Sequence, residues 1–407
     1  WCGQNKYLSA IKNAFQNFMP LTIAGAIGVL WCNVLVNDQT GLGLFFKPIM
    51  ALDFLNPAFQ AVNFCTISCI TVGITLGIAQ EIGVWNMGAE RAGYIPGLVG
   101  LAAWLSVTNT SHMVEGAKEA FTGIAGNELG ATGLFTGMII GVLSVELFCF
   151  FEKQDALKIK MPEQVPPGVA RAFEVLVPAT ITLIITACIG SACYNLTGLY
   201  LNDVIKNGIQ GPLGAVGATI PGVMIIYLVI MLFWLVGIHG NNMLSAVKEA
   251  LFTPLALENV EKFNKGEKPT NIINMYALQM WGEFGGSGVT IGLVIAIMIF
   301  GKREDNKAIA TLSLVPGLFN INETVTFGVP MVLNPILGIP FVVAPLITII
   351  IGYVLTVIGF CPVACLTVPW TTPPIVFGFL ACGANVMGAV TQAILIVVST
   401  VIYVPFL

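Results

Sequence analysis

Asn320-Ile321-Asn322-Glu323-Thr324-Val325-Thr326-Phe327-Gly328 is the stretch on which the reading of this chain turns. Across the 100 residues from Ala308 to Leu407, Glu323 is the single charged side chain. Its surroundings are apolar, Gly, Pro or neutral polar, so the segment reads as embedded in a membrane. An acidic group at the centre of a membrane helix costs about 2.5–3.5 kcal/mol on insertion scales. Such a carboxylate is expected to face a watery cavity or a polar ligand, and inter-helix hydrogen bonding is the plainer alternative.

Composition carries the same message to the whole chain. The 407 residues are 56% hydrophobic and 9% charged, where a soluble domain carries about 25%. The chain is therefore expected to be an all-α polytopic membrane protein. A net charge of −4 over this length excludes a nucleic-acid partner. The 44 Gly suit close helix packing and broken helices within a bilayer. The ten Cys mostly sit in apolar runs without His or acidic neighbours at ligand spacing, which predicts reduced packing residues, no metal and no cofactor. A start at Trp1 suggests that residues precede this sequence, and no cleavable signal peptide is visible.

In chain order, apolar runs long enough for ~30 Å of hydrocarbon at ~1.5 Å per residue fall in Asn13–Asn37, Phe54–Gln80, Gly93–Thr108, Gly130–Phe151 and Val175–Asn202. Lys6, Lys12, Lys153, Lys158, Lys160 and Arg171 mark the cytoplasmic side by the positive-inside rule. The loop Asn109–Leu129, with Glu115, Glu119 and Glu128 against Lys118, suits the outside. Residues 159–172 read as a linker or amphipathic helix between an N-terminal half, 1–158, and a C-terminal half, 173–407. The second half is less regular. A 41-residue run, Asn207–Val247, has no Asp, Glu, Lys or Arg and His239 as its only histidine, and Leu314–Leu337 fits a re-entrant hairpin lining a cavity. The expected total is nine or ten crossings plus hairpins.

Candidate chemistry follows. His239, between Ile238 and Gly240, could be satisfied by a backbone carbonyl or could exchange protons with a hydroxyl. Glu323, Asn241, Asn320 and Asn322 are residue types that bind sugar hydroxyls. Trp234 and Trp370 offer flat faces for a sugar ring, although belt or core packing is the commoner use of Trp. Arg91, beside Glu90, is either a structural ion pair, an interface anchor or a substrate contact. Gly285-Gly286-Ser287-Gly288 lacks the Lys-Ser/Thr of a phosphate-binding loop and reads as helix packing or a hairpin tip. His112 reads as a solvated loop residue.

Several runs carry a resemblance: FWLVGIHGNN (Phe233–Asn242), TPLALEN (Thr253–Asn259), GGSGVTIGL (Gly285–Leu293), FNINETVTFGVPMVLNPILGIPFV (Phe319–Val342) and VPWTTP (Val368–Pro373). With the opening IKNAFQNFMPLTIAGAIGVL (Ile11–Leu30), they resemble enzyme IIC of the lactose/cellobiose/N,N'-diacetylchitobiose family of the bacterial phosphotransferase system. The resemblance implies a fold of the glucose-superfamily IIC type with two re-entrant helical hairpins. It implies a homodimer in the bacterial inner membrane, with an N-terminal dimer interface and a C-terminal half that holds the sugar and moves like an elevator. It further implies that a β-linked disaccharide or oligosaccharide is phosphorylated on its 6-hydroxyl as it enters. Glu323 would then act as general base, with His239 beside the acceptor hydroxyl and Trp234 and Trp370 near the sugar. The phosphoryl donor would be a separate phosphocysteine EIIB, itself charged by EIIA, so this chain would take part in the reaction only with that partner. Two rival readings remain on residues alone: a proton-coupled sugar transporter using Glu323 and His239 as a relay, and a structural or channel-like protein.

Overall fold

The structure is a computed structural model that describes residues 5–38, 43, 46–112, 121–162, 164–212, 217–329, 331 and 333–407. Glu115, Lys118 and Glu119 of the acidic loop lie outside the described residues. The chain is helical, as expected of a polytopic membrane protein. Among the described residues five helical stretches have the length and apolarity to cross a bilayer: Lys6–Leu35, Ala131–Glu152, Pro167–Thr197, Gly338–Val357 and Val386–Phe406. Lys47–Ser68 with Ile70–Met87 is a sixth if that bent pair is one span, and Ile95–Val107, Ile220–Leu235 and Ile291–Phe300 are shorter apolar helices. Several expected crossings are thus short or broken. The 41-residue run, for instance, stops at Leu235, because Gly237 takes φ +81° and the chain restarts as the helix Gly240–Asn264. Among the described residues the β-structure is one antiparallel pair, Ser111–His112 with Phe121–Thr122.

Two compact units make up the chain, residues 1–22 with 64–213 and residues 23–63 with 214–407. This division departs from the linker expected at 159–172, since residues 173–213 belong to the first unit and 23–63 to the second. The reason is local. The helix Pro167–Thr197 packs on Ile95–Val107 and Ala131–Glu152, and its first turns carry Arg171 and Glu174 into an ion-pair cluster with Arg91 and Glu152.

The first unit is built on small residues that let backbones approach, the mode by which helices associate without a hydrophobic drive in lipid. A Cβ on Gly100 would lie 2.3 Å from that of Ala79, and one on Gly137 would lie 2.2 Å from Thr75 Oγ1. Two buried hydroxyls tie its helices together: Thr71 Oγ1 donates to the Gly130 carbonyl at 2.7 Å and Thr136 Oγ1 to Asn202 Oδ1 at 2.6 Å.

In the second unit a continuous apolar core gathers Tyr227, Trp281, Phe284 and Phe341 from helices that are repeatedly interrupted. Each interruption strands backbone groups that lipid cannot satisfy, so buried amides must do so. Asn259 accepts from the Thr270 and Asn271 N–H groups at 3.1 and 3.0 Å and donates to the Ala364 carbonyl at 3.0 Å. Asn274 caps the helix Met275–Gly282 through the N–H groups of Tyr276 and Ala277. Gln392 Oε1 accepts from Ile375 and Gly378 at 2.7 and 2.8 Å, holding Ile375 at φ +74°.

Candidate functional site

The site lies within the second unit and begins where two interrupted helices end. After the helix Ile220–Leu235 the chain turns back on itself at Gly240. A Cβ there would sit 2.0 Å from the Ile230 carbonyl oxygen, so only glycine permits the approach. The turn puts His239 at the N-cap of the helix Gly240–Asn264, where its Nδ1 accepts the N–H of Asn242 at 3.2 Å. A ring nitrogen that accepts must carry a lone pair. The proton of a neutral imidazole is therefore on Nε2. That nitrogen stands 3.7 Å from Glu323 Oε1.

Glu323 opens the short helix Glu323–Gly328, and the loop before it is held by its asparagines. Asn320 takes the left-handed conformation, φ +62°, which Asn tolerates better than most residues. Its Oδ1 accepts from the Gly285 N–H at 2.6 Å, and its Nδ2 donates to the carbonyls of Trp370 and Thr372. Asn322 is buried and donates to the Ser287 carbonyl at 2.9 Å. The glycine-rich run is therefore the seat of the Glu323 loop: a Cβ on Gly286, at φ +88°, would lie 2.8 Å from the Asn322 side chain. The far side of that seat is pinned by Tyr403, whose buried hydroxyl donates to the Gly288 carbonyl at 2.7 Å.

Behind His239 and the glycine loop runs a buried polar chain. Tyr227 donates to Glu283 Oε1 at 2.6 Å, Glu283 pairs with Lys248, Lys248 donates to Asn241 Oδ1 at 3.2 Å, and Asn241 Nδ2 donates to Ser287 Oγ at 2.9 Å.

The expected site residues separate into three groups. His239, Glu323 and Asn241 come together, and Trp370, 45% exposed as a residue, joins them through its backbone carbonyl, which accepts from Asn320. Asn320 and Asn322 are at the site with their amide nitrogens engaged in loop scaffolding. Trp234 is 2% exposed and offers no open face for a sugar. Its ring stands 4.4 Å from that of His239, centroid to centroid, and backs the imidazole. Arg91 belongs to the first unit, where Glu152 and Glu174 hold its guanidinium at 2.8 and 2.9 Å, and the hydrogen bond it donates to Glu152 raises its pKa. Lys248, Glu283, Tyr227 and Ser287 join the site without a motif that marks them in the sequence. Their one signal in the sequence is that Lys248 and Glu283 border apolar runs, but they are 35 residues apart and no periodicity joins them.

His239 Nε2 and Glu323 Oε1 are too far apart for a hydrogen bond, and both side chains stay open, at 36% and 48% exposure. An oxygen about 2.8 Å from each would complete a triangle with them. Such an oxygen would meet a donor, the Nε2–H, and an acceptor, the carboxylate. This is what a hydroxyl group requires. Trp234 Nε1 and Thr326 Oγ1, both buried nearby in sequence, have no hydrogen-bond partner among the described residues.

The chain matches relatives along its length. The family profile described as "Phosphotransferase system, EIIC" covers residues 12–345. The oligo-beta-mannoside-specific EIIC component of Bacillus subtilis is 33% identical over 100% of this chain and 90% of its own. The lichenan permease IIC component of Bacillus subtilis is 34% identical over 98% and 88%, and the cellobiose-specific EIIC component of Lactococcus lactis 30% over 99% and 94%. The crystal structure of ChbC, the IIC component of the N,N'-diacetylchitobiose-specific phosphotransferase system, superposes with a TM-score of 0.90 at 30% identity, over 99% of this chain and 93% of that one. With a polytopic helical fold and the His–Glu site in place, the chain belongs to the EIIC family of the phosphotransferase system, the membrane component of its sugar transport.

Proposed function

We propose that this chain translocates a β-linked disaccharide or short oligosaccharide across the bacterial inner membrane while its 6-hydroxyl is phosphorylated by a separate phosphocysteine EIIB, which EIIA recharges. The observation that carries the reading is the His239–Glu323 pair, with a tautomer fixed by the Asn242 N–H and a separation that admits one hydroxyl oxygen. In the transfer step the sugar oxygen forms a bond to phosphorus as the S–P bond to the EIIB cysteine breaks, and the thiolate leaves. Glu323 accepts the hydroxyl proton, and the Nε2–H of His239 holds the oxygen in line. Positioning and electrostatics supply most of the catalysis of such transfers. The Gly240–Asn264 helix starts at His239, so its positive end favours an incoming negative group.

Names of relatives support the substrate class, since cellobiose, lichenan, oligo-β-mannoside and diacetylchitobiose appear among them. By the same reading the protein works as a homodimer whose N-terminal helices form the interface. The unit that holds the sugar carries it across the bilayer in an elevator-like motion. The test is uptake of labelled cellobiose, lactose and diacetylchitobiose into proteoliposomes with and without phosphorylated EIIB. Sugar 6-phosphate should accumulate only with the donor. Free sugar inside, lost on adding an uncoupler, would instead establish the proton-coupled reading.

A further inference from the structure

Lys248 is a buried ammonium group that the proposed transfer step does not use. It is anchored by Glu283, and Glu283 in turn by the Tyr227 hydroxyl. Its remaining protein partner at the site is Asn241 Oδ1, at 3.2 Å. An ammonium can donate but never accept, so it dictates which end of the amide faces it. The oxygen of Asn241 must point to Lys248 and the NH₂ must point away. One of those N–H bonds goes to Ser287 Oγ at 2.9 Å, which leaves the second for the site. Asn241 is two residues from His239. Ser287, which holds it, also holds Asn322 next to Glu323 through its carbonyl. A half-buried amide in this place would otherwise be free to turn over and present either polarity to a sugar.

We infer that Lys248 is a positioning residue which, through Asn241, makes this part of the sugar site an obligate hydrogen-bond donor, selecting sugars that place an acceptor oxygen against it. The inference deepens the proposed function and rests on it. Glu283 holds the ammonium in place, so the Lys–Glu pair sets the polarity of one amide. A buried pair is weak support for stability in general, and fixing a unique polar arrangement is the role with better precedent.

The experiment measures affinity of the purified full-length protein for cellobiose, lactose and diacetylchitobiose, starting with whichever the wild type binds best. Removing both charges together, as K248M/E283Q, avoids stranding one of them. That variant should bind about ten-fold more weakly, a difference near 1.4 kcal/mol. N241A should lose a similar factor, and the triple variant should be no worse than N241A alone, because Lys248 acts through Asn241. Should K248M/E283Q not reach the membrane folded, K248R and K248Q take its place. Arginine is also donor-only and should retain affinity within about two-fold, whereas glutamine can accept as well as donate and should not.

Losses that multiply in the triple variant, unchanged affinity in K248M/E283Q, or equal affinity in K248R and K248Q would each overturn the inference. Glu323→Gln and His239→Gln separate this from failure of the site itself. If they abolish phosphoryl transfer while the Lys248 variants bind as wild type, only the inference falls. If they change nothing, or the wild type binds none of the three sugars, the proposed function falls and takes the inference with it.

Discussion

Two groups of ionisable side chains, one in each unit, are built on opposite plans. In the first unit Arg91 and Arg171 share Glu152 and Glu174 at 2.8–2.9 Å, and Glu152 is 3% exposed. Those charges meet at hydrogen-bonding distance and tie three chain segments together. In the second unit His239 and Glu323 stand 3.7 Å apart, each a third to a half open, although His239 Nδ1 and the amides of Asn320 and Asn322 beside them are bonded. Ion pairs closed at contact distance hold structure. A pair held near but apart, by partners on either side, keeps room for a third group. The loop amides of Asn320 and Asn322 resemble the first plan in being engaged, and they serve the second by keeping the gap open.

This contrast can be broken by mutation, and the largest effect is expected at the open pair. Glu323→Gln keeps the shape of the side chain and removes the base. It should lower phosphoryl transfer by about a hundred- to ten-thousand-fold, the usual worth of a general base, with sugar affinity changed far less. Transfer within ten-fold of wild type, measured in single turnover with phosphorylated EIIB, would place the base elsewhere. At the closed cluster the opposite pattern is expected. Glu152→Gln leaves two arginines short of a carboxylate and should destabilise the protein by about 3 kcal/mol, as removal of one partner of a buried pair does. Arg91→Gln should lower the unfolding temperature and leave sugar affinity unaltered. A large loss of affinity with normal stability would restore Arg91 as a sugar contact.

Next in size is Gly240→Ala. The added methyl would meet the Ile230 carbonyl, a backbone atom that cannot swing aside. A cost of about 1–3 kcal/mol is expected for overpacking of this kind. The displaced turn should also move His239 and reduce transfer more than stability. Equal sugar transfer in a folded Gly240→Ala protein would show that the turn does not set the imbibed geometry of the pair.

The sequence shows some of this plainly and hides the rest for definable reasons. Glu323 is conspicuous because a lone charge in a long apolar run has few structural explanations. His239 is visible for the same reason, but its tautomer is not, because that depends on a backbone N–H three residues on in a particular cap geometry. Trp234 and Trp370 look alike as sequence, and only packing distinguishes the one that backs His239 from the one whose ring stays open. The glycine-rich run reads as packing or a hairpin tip, whereas it forms the seat of the Glu323 loop. Its backbone N–H and C=O groups serve there, and a glycine sequence says nothing of where they point. Lys248 and Glu283 read as ordinary flanking charges until tertiary structure buries them together. The unit boundary is hidden because packing on Ile95–Val107 and Ala131–Glu152 and ion pairs between distant segments, rather than composition, assign the helix Pro167–Thr197 to its neighbours.

Glu128 gives the comparison a third member, and the smallest expected effect. It belongs to the first unit and lies outside the long spans, in the turn Gly126–Leu129. It is 8% exposed, and its Oε2 has no hydrogen-bond partner among the described residues. Unlike Glu152 it has no arginine, and unlike Glu323 it has no open setting. Burial pushes its carboxyl above the ordinary carboxylate range, with His112 opposing and Asp203 adding to the shift. A carboxyl raised in the folded state favours folding while it is protonated. That contribution is complete below the unfolded pKa and is lost as pH rises through the folded one. Glu128→Gln fixes the neutral form, so the variant should unfold at a higher temperature than wild type at about pH 8, with the difference vanishing by about pH 4. Matching unfolding temperatures for the two proteins at the higher pH would mean that water or the neighbouring loop solvates this carboxylate. The distinction between closed, open and stranded carboxylates would then have only its first two members.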